Sequence, residues 1–133
     1  MEKKILLTAV FLGMVSIILG AFGAHALKSV LTSEQLTTFE TGVRYQMYHA
    51  LFLLFVATYK PLSEKKRKTI FTLAVIGIAL FSGSIYLLAT NSLTSFDFKI
   101  IGFITPVGGL LLILSWFFLF IDLFNKKSQN SSF

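Results

Sequence analysis

Cysteine is absent from this 133-residue chain, which excludes disulfides, thiol catalysis and cysteine-ligated metal. Charge is scarce as well: 14% of residues are charged, where a water-soluble domain carries about 25%. Proline occurs only at Pro61 and Pro106, and histidine only at His25 and His49. Also missing is the period-two alternation, in segments of about ten residues, that marks the strands of a membrane barrel. What fills the chain instead is apolar: 55% of residues are hydrophobic, fifteen of them phenylalanine. The composition is that of an integral membrane protein, and uniformly apolar runs make its spans helices.

Four runs lack charge: residues 5–27, 45–59, 69–96 and 100–121. Three of them exceed the roughly 18–20 residues needed to cross about 30 Å of hydrocarbon at 1.5 Å per residue. The second run is shorter, so its helix has to start near Phe39 and bring Glu40 and Arg44 to interfacial depth. The expected fold is therefore all-α and polytopic, with four transmembrane helices near 5–27, 39–59, 69–90 and 99–122 forming one domain over residues 1–124. The polar stretch 125–133 (NKKSQNSSF) is expected to be a disordered tail.

Basic residues orient this arrangement. Nine of the twelve fall on one side (Lys3, Lys4, Lys60, Lys65, Lys66, Arg67, Lys68, Lys126, Lys127) and three on the other (Lys28, Arg44, Lys99). Both termini are expected to be cytoplasmic, in the plasma membrane of a bacterium. The net charge of +6 is thus an orientation signal that also attracts anionic headgroups, and the absence of a basic stripe beyond short loops argues against nucleic acid. Lys3 and Lys4, an apolar run and then Ala24-His25-Ala26 imitate a cleavable signal peptide, but the run is long for one and is expected to stay as the first helix.

Local signals punctuate the helices. Thr32-Ser33-Glu34-Gln35 fits a capping box. Beyond it, Leu36, Phe39 and Val43 predict a short amphipathic helix on the outer surface between helices 1 and 2, bending into the membrane at Gly42. Pro61 stops the second helix and Ser63-Glu64 opens the third. Small residues mark packing faces: Ala9, Gly13, Ser16, Gly20 and Gly23 on the first helix, Ala79, Ser82 and Gly83 on the third, Gly102, Thr105 and Gly109 on the fourth. Pro106 is expected to kink the fourth helix as a hinge.

Helix rise sets the depth of each polar residue. Measured from the inner boundary, His49 lies about 15 Å up, Gln46 and Ser82 about 20 Å, and Arg44, Thr105 and Tyr86 about 22–25 Å. A polar layer in the outer half, made of Arg44, Gln46, His49, Ser82, Tyr86 and Thr105, is the candidate ligand-binding site. Other roles stand beside that one. Arg44 is long enough to snorkel outward and pair with Glu40 or a lipid phosphate, and His49 fits a hydrogen-bonded packing residue as well as a proton carrier. His25 and His49 differ in height by about 15 Å, too far to share a haem or a metal. Neither a nucleophile with its base nor a carboxylate pair is placed for catalysis, so no enzyme and no cofactor are expected.

Four strings occur in order: GAFGAHALK (20–28), F-x-TGV-x-YQ-x-YHAL (39–51), LFSGSIYLL (80–88) and G-x-ITPVGG (102–109). On them the chain resembles the small membrane protein family known as domain of unknown function 423, or uncharacterised protein family 0382, to which a eukaryotic transmembrane protein family, 256, is similar. The resemblance implies a compact helical membrane protein and carries no reaction, substrate or cofactor. Two functions of different class remain: a non-enzymatic bundle binding a lipid, an amphipathic ligand or a partner helix through the polar layer, or an oligomeric transporter, channel or proton-linked component using His49. Membrane lipids are the expected partners, with a homo-oligomer or a partner membrane protein as further candidates.

Overall fold

A computed structural model describes the backbone of residues 1–130 and the side chains of residues 1–126. Four long helices follow one another: α1 Glu2–His25, α2 Ser33–Thr58, α3 Glu64–Ala89 and α4 Ile104–Asn130. Single 3-10 turns sit between them at Leu27–Ser29, Asn91–Leu93 and Phe98–Ile101. Both expected caps are present. Thr32 Oγ1 accepts from Gln35 N at 3.2 Å while Gln35 Oε1 accepts from Thr32 N at 2.9 Å, closing the box that opens α2. Ser63 Oγ accepts from Lys66 N at 3.4 Å at the start of α3, and α2 ends at Thr58 ahead of Pro61.

Four expectations need correction. No separate surface helix lies between α1 and α2: the capping box opens one unbroken helix of 26 residues. Gly42 does not bend it, because the glycine serves a different purpose, letting the Tyr86 ring lie against α2 where a Cβ would stand 2.7 Å from Tyr86 Cε1. Pro106 neither kinks α4 nor frees a carbonyl. Because α4 starts at Ile104, five residues later than expected, the proline is in the first turn, where its missing N–H has no intrahelical acceptor in any case. At the other end α4 runs to Asn130, through most of the stretch read as a tail; residues 131–133 lie outside the described chain.

Among the described residues, three helical stretches are long and apolar enough to cross a membrane: Glu2–Ser29, Glu64–Ala89 and Phe98–Lys126. α2 is not among them, since Glu34, Gln35, Glu40 and Arg44 dilute its first half.

The helices alternate in direction, and each packs on its chain neighbour, α1 on α2, α2 on α3 and α3 on α4. The small-residue stripe of α1 forms the first of these seams. Ala9 and Ser16 are buried there, Gly13 faces Ala50 and Met47, Gly20 faces Val43, and Gly23 faces the Phe39 ring. Without a hydrophobic force between helices in lipid, such close approach is what gains dispersion contact. The closest approach is between α3 and α4. A Cβ at Gly108 would overlap Phe81 N and stand 2.7 Å from Leu80 C, while at Gly77 it would meet Leu112 Cδ2 at 2.7 Å. Gly83, expected at a packing face, has nothing within 4 Å.

Two apolar clusters bracket the middle of the molecule. The larger, around Ile5, Leu53, Val56, Ile70 and Ala74, lies toward the end that carries both Glu2 and Lys60. The smaller, Leu27, Leu31, Phe39 and Ala89, lies toward the other end. Large apolar side chains cover the outside as well, with Leu7, Ile17, Ile113 and Phe120 all at least 60% exposed, the pattern of helices solvated by lipid.

Candidate functional site

Between the two clusters the structure assembles most of the expected polar layer. Gln46 Nε2, from α2, donates to the Leu12 carbonyl of α1 at 3.0 Å, and its Oε1 accepts from Tyr86 Oη of α3 at 2.6 Å. Ser82 Oγ donates to the Gly42 carbonyl at 2.7 Å. Ser84 and Thr105 hydroxyls meet at 2.5 Å and tie α3 to α4, while Ser16 Oγ bonds back to Leu12 O within α1. Gly42 makes this geometry possible. With no Cβ on that face, the Tyr86 ring can lie close against α2 and reach the glutamine one turn away.

His49 sits beside this layer with a partner that only tertiary structure reveals. Trp116 Nε1 can only donate, and it points at His49 Nε2 at 3.0 Å. Nε2 must therefore accept, so the proton is on Nδ1, which donates to the Tyr45 carbonyl at 2.7 Å. That assignment follows from the partners and makes His49 a neutral residue with both ring nitrogens engaged. Among the described residues, no buried side-chain nitrogen or oxygen lacks a hydrogen-bond partner. The layer is closed on itself.

Arg44 is not part of it. Its side chain is 56% exposed on the outer face of α2 and is paired loosely with Glu40 at 3.8 Å. The packing residues Gly13, Ser16 and Gly20 lie in the α1–α2 seam, and Gly109 lies against Phe81 at 3.5 Å. Among the described residues no group of three His, Asp or Glu is placed to hold a metal.

A binding surface exists next to the layer rather than within it. α2 and α4 both pack on α3 and leave a groove between themselves. Its part nearer the start of α4, about 420 Å³, is lined by Tyr45, His49, Phe81, Gly109, Ile113 and Trp116. Its part nearer the end of α2, about 520 Å³, is lined by Tyr48, Leu51, Phe55, Trp116, Phe120 and Leu123. Trp116 is common to both, standing edge-on to His49 and 4.3 Å, centroid to centroid, from Phe52.

The end that carries Glu2 and Lys60 contains an ionic network whose charges, counted by loop, had served only as an orientation signal. Arg67, 2% exposed, donates from Nε to Val56 O at 3.2 Å and from Nη2 to Tyr59 O at 3.0 Å, capping the end of α2, and it pairs with Glu64 and, at 3.4 Å, Glu2. Asp122, equally buried, accepts from Lys66 at 2.6 Å and Lys126 at 2.7 Å. The Glu64–Arg67 and Asp122–Lys126 spacings, of three and four, were its legible signs.

If the layer serves to hold three helices together, its bonds should be worth no more than ordinary intramembrane ones. Tyr86→Phe is expected to lower stability by about 0.6–1.5 kcal/mol. Adding Gln46→Leu to Tyr86→Phe should subtract less than the two single losses together, measured as a double-mutant cycle by thermal melting in detergent.

A family model described as "Protein of unknown function (DUF423)" matches residues 19–109. A UPF0382 membrane protein of Haemophilus influenzae is 36% identical over 128 residues, covering 96% of this chain and 99% of its own length. The UPF0382 membrane protein YwdK of Bacillus subtilis is 43% identical over 103 residues, 74% of this chain and 77% of that one. The UPF0382 inner membrane protein YgdD of Escherichia coli is 30% identical over 136 aligned positions, 98% and 97% of the two chains. No solved structure matches. With the match running from the α1–α2 seam through the Gly108 contact, the chain belongs to the DUF423 family of membrane proteins.

Proposed function

We propose that this protein is a non-enzymatic four-helix membrane bundle that holds the acyl chain of a phospholipid in the groove between α2 and α4. The observation that carries this reading is the Trp116–His49 pair. Both side chains face an open apolar groove with their polar atoms engaged, so the floor presents aromatic surface to a hydrocarbon chain. Arg44 stands one turn outward of Tyr48 on the exposed face of α2, and its guanidinium turns further outward toward Glu40. At roughly 21 Å above Thr58 by helix rise, and lifted by its own length, it comes to the level of an outer-leaflet phosphate, which its forked donors suit.

α2 is taken as the fourth span because it lies between α1 and α3 along its length, from Phe39 against Gly23 to Val56 beneath Arg67. The lysine-rich end is taken as cytoplasmic, in a bacterial inner membrane like that of the YgdD relative. The competing reading, an oligomeric transporter, channel or proton-linked component, needs a ring nitrogen of His49 open to exchange, and both are bonded.

Trp116 is the chain's one tryptophan, which makes the test direct. Phospholipid with brominated acyl chains, titrated into the detergent-solubilised protein, is expected to quench its emission with a saturable component. Gly109→Leu, whose Cβ would meet Phe81 at an ordinary 3.5 Å, fills the groove and is expected to weaken that component about tenfold, the loss of about one well-packed contact. Quenching that only follows the bulk lipid fraction, unchanged by Gly109→Leu, would overturn the proposal; a cross-linked dimer through the same groove would replace the lipid by a second copy.

A further inference from the structure

We infer that a second lipid site, selective for an anionic phospholipid headgroup, lies at the inner end on the opposite side of α4 from the groove. A cavity of about 320 Å³ opens there between the first turns of α3 and the last turns of α4, lined by Lys65, Lys66, Thr69, Ile70, Phe118 and Asp122. Its composition is graded. Cations and a hydroxyl form the rim at the level where the lysines cluster, and Ile70 and Phe118 form an apolar floor on the hydrocarbon side. A soluble anion would have no use for that floor, whereas a phospholipid presents phosphate and acyl chain in the same order.

The charges are arranged to leave a net positive rim. Asp122 is the single acid on the cavity wall and is 2% exposed, with one carboxylate oxygen taken by Lys66 at 2.6 Å and the other by Lys126 at 2.7 Å. Two lysines therefore balance one carboxylate, and the carboxylate fixes the Lys66 ammonium at the cavity mouth. Lys65 adds a third cation beside it, with no carboxylate within ion-pair distance among the described residues. One turn further along α3, Lys68 and Thr72 continue the same exposed strip around Thr69, ending at Leu73. Lys65, Lys68, Thr69 and Thr72 recur at spacings of three and four, so they share one helix face. The first turn of α3 adds the positive end of its dipole to this rim. Basic pockets of this kind, between helices at the cytoplasmic boundary, recognise acidic headgroups.

The experiment is native mass spectrometry of the full chain in mild detergent with equal amounts of phosphatidylglycerol and phosphatidylcholine. The wild-type protein is expected to retain the anionic lipid preferentially. Lys65→Gln with Lys68→Gln should reduce that preference about tenfold, since each lysine near the surface contributes appreciably to attraction of an acidic lipid. Lys3→Gln with Lys4→Gln removes the same charge at the same end of the bundle from exposed positions on α1, and should leave the preference intact. Lys66 is left in place because it holds Asp122. Equal loss in the Lys3 and Lys4 variant would overturn the site in favour of diffuse attraction. Equal retention of the two lipids would overturn it as well, and displacement of phosphatidylglycerol by inorganic phosphate alone would replace the lipid by a soluble anion. The groove beside Trp116 is untouched by these substitutions, so its brominated-lipid quenching stands or falls separately.

Discussion

Gly108→Ala is expected to destabilise the protein more than any other single-methyl addition in its helices. The new Cβ would overlap the backbone nitrogen of Phe81 and stand 2.7 Å from Leu80 C, and no rotamer change can move those atoms. The whole of α4 has to retreat from α3. That retreat opens the Ser84–Thr105 contact, and Leu112 loses its seat over Gly77. Overpacking costs about 1–3 kcal/mol in a well-packed interior, and a rigid backbone obstacle belongs at the upper end of that range. Against it stands the gain of up to about 1 kcal/mol from replacing a helical glycine by alanine. Gly83→Ala supplies the control, because it brings the same propensity gain into open space and should leave stability unchanged or raise it. Thermal unfolding in detergent, followed by size-exclusion recovery, compares the two; equal melting temperatures would show that α3 and α4 are not held at this distance.

Arg67→Leu is expected to be the most damaging change at the end of the molecule that carries Glu2 and Lys60. The guanidinium is 2% exposed and satisfies two α2 carbonyls, Val56 O and Tyr59 O, as well as Glu64 and Glu2. Removing one partner of a buried charged arrangement costs about 3–5 kcal/mol. Here the acidic partners are themselves partly exposed, so their share is screened and the loss should fall nearer 2–3 kcal/mol, most of it from the orphaned carbonyls. Arg67→Lys is the sharper variant: one ammonium cannot span two carbonyls and two carboxylates, so it should recover less than half of the loss. Full recovery by lysine would mean that charge alone matters at this position. Glu2→Gln, which touches only the exposed side of the network, should cost little by the same melting assay.

The parts of this fold that could be read from the chain are those carried by spacing within one helix. Thr32 and Gln35 close their box, Ser63 caps α3, and the Ala9 to Gly23 stripe lies in the α1–α2 seam, because three- and four-residue periodicity projects directly onto one helix face. Gly42 shows where such reading stops. A glycine that lets a chain bend and a glycine that lets a ring approach look alike, and only the Tyr86 ring tells them apart. Pro106 depends similarly on where α4 begins, which a cap-poor segment between Phe98 and Phe103 does not announce. Gln46, Ser82 and Tyr86, grouped by helix rise, do come together at the α2–α3 seam, yet helix rise cannot say which way a side chain points. Arg44 shares their height and faces outward, while Trp116, the partner that determines the state of His49, is 67 residues away in the chain.

Each helix after the first packs on the one synthesised just before it. Assembly can then proceed by accretion, every new helix finding a neighbour already in place, with few long loops to close before contacts form. Some contacts skip a helix: Arg67 of α3 reaches Glu2 of α1, and Trp116 of α4 meets His49 and Phe52 of α2. The groove is therefore a seam that stepwise growth leaves open except where Trp116 crosses it, held among the described residues by its hydrogen bond to His49 and its packing on Phe52.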